Sequence, residues 1–126
     1  MIKSIFPQEK DSDIIMNMKT CGIITEYNPF HQGHIYHIKK TKELTHCDCL
    51  IAIVSNHFTQ RGLFSLLTME DKTKLALEAE CNLVIELPPC YAAQSADYFA
   101  KYAIESLSQL HIDQICFGSE TVVRQL

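Results

Sequence analysis

The chain has 126 residues and a formal net charge of −4, with an isoelectric point near 5.8. At 47% hydrophobic and 21% charged residues, with four Gly and four Pro, it lies outside the collagen-like, low-complexity and disordered classes, and it is long enough to fold one domain around a real core. The acidic balance leaves no basic footprint for nucleic acid or an anionic membrane on this stretch.

Residues 1–18 mix charges with scattered apolar side chains at no sustained period. They read as an N-terminal extension, ordered at most in part or folded as a helical arm on the body. The regular pattern starts near Lys19, and residues 19–126 read as a single domain. Cys21-Gly22-Ile23-Ile24-Thr25 is an apolar run that suits a buried parallel strand. A helix is expected from His34 to about Leu44, with Ile35, Ile38 and Leu44 on its inner side. Leu50 to Val54 forms the next strand, and Thr68 opens a second helix that runs to about Glu80 and buries Leu75, Ala76 and Ala79. Leu83 to Leu87 is a third strand, stopped by Pro88-Pro89. The longest helix spans Ser95 to Leu110, with a stripe of Phe99, Ala103, Leu107 and Leu110, and Ile115-Cys116-Phe117 is the fourth strand.

Strands apolar on both faces, alternating with amphipathic helices, predict an α/β fold: a doubly wound parallel sheet of Rossmann-like type. In such sheets ligands bind beyond the carboxyl ends of the strands. Residues 26–34, 55–62, 87–94 and 118–120 are therefore expected at one place. Six cysteines do not make a disulfide scaffold here. Cys21, Cys49, Cys81 and Cys116 lie in or beside apolar runs, where a free thiol behaves as a small hydrophobe. The start of the chain has no signal-peptide pattern, so the expected location is cytoplasmic with reduced thiols. A zinc site built on Cys47-Asp48-Cys49 needs two more ligands, and the paired knuckles of closed zinc sites are missing.

The chemistry concentrates in Glu26-Tyr27-Asn28-Pro29-Phe30-His31-Gln32-Gly33-His34. A strand ends, Pro29 fixes a turn, and H-x-G-H opens a helix whose free N–H groups suit phosphate. Gly33 admits a close neighbour because it has no Cβ. His31 and His34, three residues apart, share a face and can donate to phosphate oxygens, offsetting charge on a leaving pyrophosphate. The bland alternative makes both of them helix-capping or turn residues. Metal ligation is a further alternative, but His37 lies about 120° around the helix from His31 and does not converge with the pair.

Lesser candidates are Arg61 for phosphate or RNA, and Glu86 and Glu120 for orienting a site group. Each of them competes with a solvated surface role. Ser119 has no His–acid partner pattern. Lys39, Lys40 and Lys42 read as a solvated face, and Tyr91, Tyr98, Phe99 and Tyr102 as core.

With H-x-G-H after a first strand, the chain resembles the nucleotidyltransferase superfamily that includes class I aminoacyl-tRNA synthetases. The string from Gly22 to His34 is more specific. So are Gln60-Arg61-Gly62, the run from Asn82 to Pro88, Gln94-Ser95-Ala96 with Tyr98-Phe99-Ala100, and Cys116-Phe117-Gly118-Ser119-Glu120. Together they are similar to the bacterial tRNA(Met) cytidine acetate ligase family, over about residues 19–120 and only the N-terminal part of that family's chain. The resemblance implies that ATP activates acetate as acetyl-adenylate, with Mg²⁺ assisting. The acetyl group then passes to N4 of the wobble cytidine of elongator tRNA(Met), recognised mainly through the part of the family's chain beyond this one. It places the ATP contacts on Ile24, Thr25, Glu26, Tyr27, Asn28, Pro29, Phe30, His31, Gln32, Gly33, His34, Ile35, Tyr36, His37 and Gly118, with His31 and His34 as the catalytic pair. Two other functions stay open: an adenylyltransferase for a small phosphorylated metabolite, and a nucleotide-binding module without turnover.

Overall fold

The computed structural model describes residues 2–3, 18–55, 64–88, 90 and 96–118. Their elements, in chain order, are β1 (Ile2–Lys3), β2 (Thr20–Thr25), α1 (Gln32–Thr45), β3 (Cys49–Ser55), α2 (Met69–Glu78), β4 (Leu83–Leu87), α3 (Ala96–Gln109) and β5 (Gln114–Cys116). The five strands form one sheet in the order β1-β5-β2-β3-β4. β2, β3, β4 and β5 run parallel, and β1 pairs antiparallel with the outer edge of β5. From β2 the chain steps outward to β3 and β4, then returns to lay β5 on the far side of β2. That reversal makes the sheet doubly wound and places a switch point between β2 and β5.

Each face has its own core. Ile38 of α1 and Ala76 of α2 pack with Cys21, Ile23, Leu50, Ala52 and Val54. On the other face Phe99, Ala103 and Leu107 of α3 pack with Ile51, Ile53, Leu87 and Ile115. Alternate residues of β3 thus serve opposite faces, which is why the strand has no polar side until Ser55. Gly22 lets α3 approach, because an added Cβ would stand 2.7 Å from Leu107 Cδ2.

The amino ends of the parallel strands are fastened by a repeated device. Asp48 Oδ2 accepts from the Lys19 amide at 2.8 Å, and Asn82 Oδ1 from the Leu50 amide at 2.8 Å. Asp113 Oδ2 accepts from both the amide and the hydroxyl of Thr20, at 2.9 and 3.0 Å. In each case the carbonyl-bearing side chain just before one strand satisfies an amide at the start of its neighbour.

The observed helix boundaries differ slightly from those expected. α1 starts at Gln32, two residues before His34, because His31 caps it. Its buried stripe is Ile38, Thr41 and Thr45, whereas Leu44 is exposed. α2 is capped by Thr68, whose hydroxyl accepts from the Asp71 amide at 3.1 Å. Leu110 lies past the end of α3 and is exposed, and Phe117, expected in the last strand, lies one residue beyond β5. No cysteine described here forms a disulfide: Cys21, Cys81 and Cys116 are buried free thiols, Cys47 and Cys49 are half-buried, and Cys90 is exposed. Burial pushes the Cys21 thiol up to about 12, which makes it a poor nucleophile. Among the described residues no helix is long and apolar enough to cross a membrane.

Candidate nucleotide site at the carboxyl end of the sheet

The turn from β2 into α1 is built inward from Tyr27. This residue is buried to within 1% and adopts φ 51°, a conformation a bulky side chain takes only when packing fixes it. Its ring meets Phe30 edge-on with centroids 4.7 Å apart, and His34 edge-on at 4.8 Å. Phe30 stacks on His34 from another side, at 5.5 Å. The next residue, Asn28, precedes Pro29 through a cis peptide bond. Asn28 Oδ1 accepts from the Leu66 amide at 2.6 Å, tying the turn to the segment that leads into α2.

His31 and His34 form a reciprocal cap. The Gly33 amide donates to His31 Nδ1 at 3.0 Å, and the His31 amide donates to His34 Nδ1 at 3.1 Å. The two rings stack with centroids 3.9 Å apart and planes 30° apart. A ring nitrogen that accepts from an amide carries no proton, so the proton of each neutral ring sits on Nε2. Burial, with His31 and His37 nearby, pushes His34 down from 6.5 to about 4, so this ring is neutral at pH 7. The capping role and the phosphate-donor role are therefore compatible: the cap uses both Nδ1 atoms and leaves both Nε2–H groups as donors.

Gly33 owes its place to the same contact. A Cβ there would lie 2.8 Å from His31 Cε1 and 3.0 Å from Nδ1. The missing side chain makes room for the His31 ring, a local reason that the motif alone did not show.

The other expected contacts spread around this turn. Thr25 is buried, and Ile24 and Glu26 are half-buried at the end of β2. Gln32 and Tyr36 are exposed on α1. Ile35 instead lines a shallow groove between α1 and α2, with Phe30, Leu75 and Ala79, and Lys39, Glu78 and Glu80 also border it. His37 is half-buried on α1, and its buried Nε2 has no hydrogen-bond partner. Burial also lowers its pKa. Gly118 is exposed two residues past β5, with nothing within 4 Å of an added Cβ. Arg61, Ser119, Glu120, Tyr91 and the rest of residues 56–63, 89 and 91–95 lie outside the described residues. Glu86 is exposed on the edge strand β4.

One residue at this end of the sheet escaped the sequence reading. Lys72 of α2 is completely buried, and its Nζ donates to the Ser55 carbonyl at 2.7 Å, at the last residue of β3. Burial lowers its pKa, and the charge of Glu26 offsets this in part. The signal was present: Met69, Lys72, Ala76 and Ala79 follow helical spacing, so a lysine occupies an apolar stripe.

A family model described as HIGH Nucleotidyl Transferase matches residues 18–126. The chain belongs to the HIGH nucleotidyl transferase family. Among relatives of this family member, the tRNA(Met) cytidine acetate ligase of Geobacillus sp. (strain WCH70) is 52% identical over 103 residues, covering 82% of this chain and 26% of that protein. The ligase of Clostridium perfringens (strain SM101 / Type A) is 51% identical over 104 residues, with the same coverage. The crystal structure of Thermotoga maritima TmcAL bound with alpha-thio ATP superposes with a TM-score of 0.78 at 38% identity, over 82% of this chain and 25% of that one. This family member therefore spans about a quarter of the length of the relatives it matches. The matched region begins where the regular sequence pattern begins.

Proposed function

We propose that this chain is the ATP-binding N-terminal portion of a tRNA(Met) cytidine acetate ligase. The observation that carries the reading is the paired imidazole cap: two stacked rings at a helix N-terminus, with both Nε2–H donors left over, in a chain 52% identical to such a ligase. One solved relative was crystallised with alpha-thio ATP, which supports placing a triphosphate at this lip.

In this reading the nucleotide lies against the 24–37 segment, Ile35 apart, and Gly118, and His31 and His34 donate to its phosphates. An acetate oxygen attacks the α-phosphorus, and the bond to pyrophosphate breaks. The two imidazoles and the start of α1 offset the charge that grows on the leaving group. N4 of the wobble cytidine then attacks the acetyl carbon and AMP leaves. Among the described residues no group of three His, Cys, Asp or Glu could hold a metal ion. Mg²⁺, when bound with the nucleotide, would help neutralise the charge that develops on the phosphates. With tRNA as a substrate, this reading puts the reaction in the cytoplasm.

The test is acetate-dependent exchange of labelled pyrophosphate into ATP, followed by assay of N4-acetylcytidine once elongator tRNA(Met) is added. Exchange that requires acetate and is lost in His31→Ala/His34→Ala is the expected result. Turnover with phosphopantetheine or nicotinamide mononucleotide and none with acetate would replace this reading with a small-metabolite adenylyltransferase.

A further inference from the structure

Asn28 joins the nucleotide turn to the approach of α2. The Leu66 amide donates to Asn28 Oδ1 at 2.6 Å, and the Ser65 hydroxyl lies 3.5 Å from the same oxygen. That hydroxyl also donates to the Leu67 carbonyl at 2.9 Å, and Thr68 then caps α2. The side chains of Phe64 and Leu66 are 78% and 73% exposed, so their burial does little to set where this segment lies. On the turn, Asn28 follows Tyr27, whose φ of 51° is a conformation a bulky residue keeps only when its surroundings fix it. The buried Tyr27 ring meets His34 edge-on at 4.8 Å, and His34 Nδ1 accepts from the His31 amide at 3.1 Å. Contacts therefore run without a gap from the Leu66 amide, through Asn28 and Tyr27, to the paired imidazoles.

We propose that the Leu66 amide is a positioning group for the nucleotide: through Asn28 it holds Tyr27 in its left-handed conformation and so fixes the direction in which His31 and His34 present their Nε2–H groups. The exposed side chain at this position takes no part; the backbone N–H is the working group. Without it the left-handed residue relaxes, and the two rings are no longer set in advance for phosphate oxygens. The inference rests on the nucleotide reading and extends the site to a residue outside the H-x-G-H segment. Coupling of this kind is reciprocal: a hydrogen bond that favours nucleotide binding is itself tightened, by the same factor, when nucleotide is bound.

The experiment has a variant arm and a native arm. In the first, calorimetry measures binding of adenosine 5′-(β,γ-imido)triphosphate to four chains: wild type, one carrying the α-hydroxy acid of leucine in place of Leu66, Leu66→Ala and Asp113→Ala. The hydroxy acid turns one amide into an ester and removes the N–H, Leu66→Ala keeps the N–H, and Asp113→Ala loosens the opposite end of the sheet. The ester chain should bind about tenfold to a hundredfold more weakly, the range a small misplacement of binding groups produces. Both substitutions should bind as wild type does. In the second arm, NMR follows hydrogen exchange at the Leu66 amide of wild type, with the Asp71 amide of the Thr68 cap as a local reference. Saturating analogue should slow exchange at Leu66 by the factor that the ester loses, and by more than at Asp71. This arm needs no variant, so it decides the matter where the ester chain fails to fold. Wild-type affinity in the folded ester chain, an equal loss in Asp113→Ala, or Leu66 exchange slowed no more than Asp71 overturns the proposal and leaves the nucleotide reading intact. Absence of binding by the wild-type chain overturns both.

Discussion

An alanine at position 33 would put its Cβ within 2.8 Å of the His31 ring. That ring is exposed and free to swing aside, so the cost is the lost cap rather than a clash. Gly33→Ala should lower stability by about 1 kcal/mol, as loss of an N-cap does, and weaken ATP-analogue binding at least as much as His31→Ala. Chemical denaturation and calorimetry on the two variants check both parts. His34 gives a pH prediction. Its pKa falls from 6.5 in the unfolded chain to about 4 in the fold, so between those values the unfolded state binds more protons. Stability is then full above about pH 6.5 and declines as the pH falls toward 4. His37 is shifted in the same direction. Urea midpoints measured from pH 7.5 to 4.5 should fall with acid, and His34→Gln should fall less steeply than wild type. The sequence shows that two histidines share a face. It does not show which nitrogen each one presents, because that follows from two amide contacts that exist only once the helix has formed.

The strands were legible because β2 and β3 are buried on both faces, and continuous apolar runs of that length have few other uses. Legibility failed where an element meets the edge. The expected strand from Leu83 to Leu87 is observed as β4, but β5 ends before Phe117 because its pairing stops at Cys116. In α1 the hydrophobic choice, Leu44, lies one residue away from Thr45, about 100° around the helix. Thr45 takes the buried place because its hydroxyl donates to the Thr41 carbonyl at 2.7 Å and so enters the core satisfied. The Asp and Asn fasteners before β3, β4 and β5 were invisible as well, since short polar residues before strands usually mean only a turn. Asp113 is the sharpest test of them. Asp113→Ala removes the acceptor for two Thr20 donors and should cost about 1–3 kcal/mol, read as a lower urea midpoint at an unchanged slope. Gly22→Ala should cost a similar amount, about 1–3 kcal/mol, by forcing Leu107 out of its packed position.

Taken as one domain, the chain separates its two ends. The amino ends of the parallel strands are closed by side-chain hydrogen bonds to neighbouring backbone amides, and the carboxyl ends carry Glu26, the paired imidazoles, the buried Lys72 and Gly118. The switch point between β2 and β5 predicts that polarity before any residue is assigned a role. The resemblance to the ligases then supplies the chemistry that topology alone leaves undefined. A ligand that binds the native state here should raise the unfolding temperature by mass action. The imido analogue of ATP is expected to do so for wild type but not for His31→Ala/His34→Ala.

The most direct test is ¹⁵N NMR of the histidine rings during titration with the imido analogue. The account predicts that His31 and His34 are both Nε2–H tautomers in the free protein, and that both Nε2 resonances move together as the nucleotide saturates. Rings protonated on Nδ1, or Nε2 signals unmoved at saturating nucleotide, would contradict it.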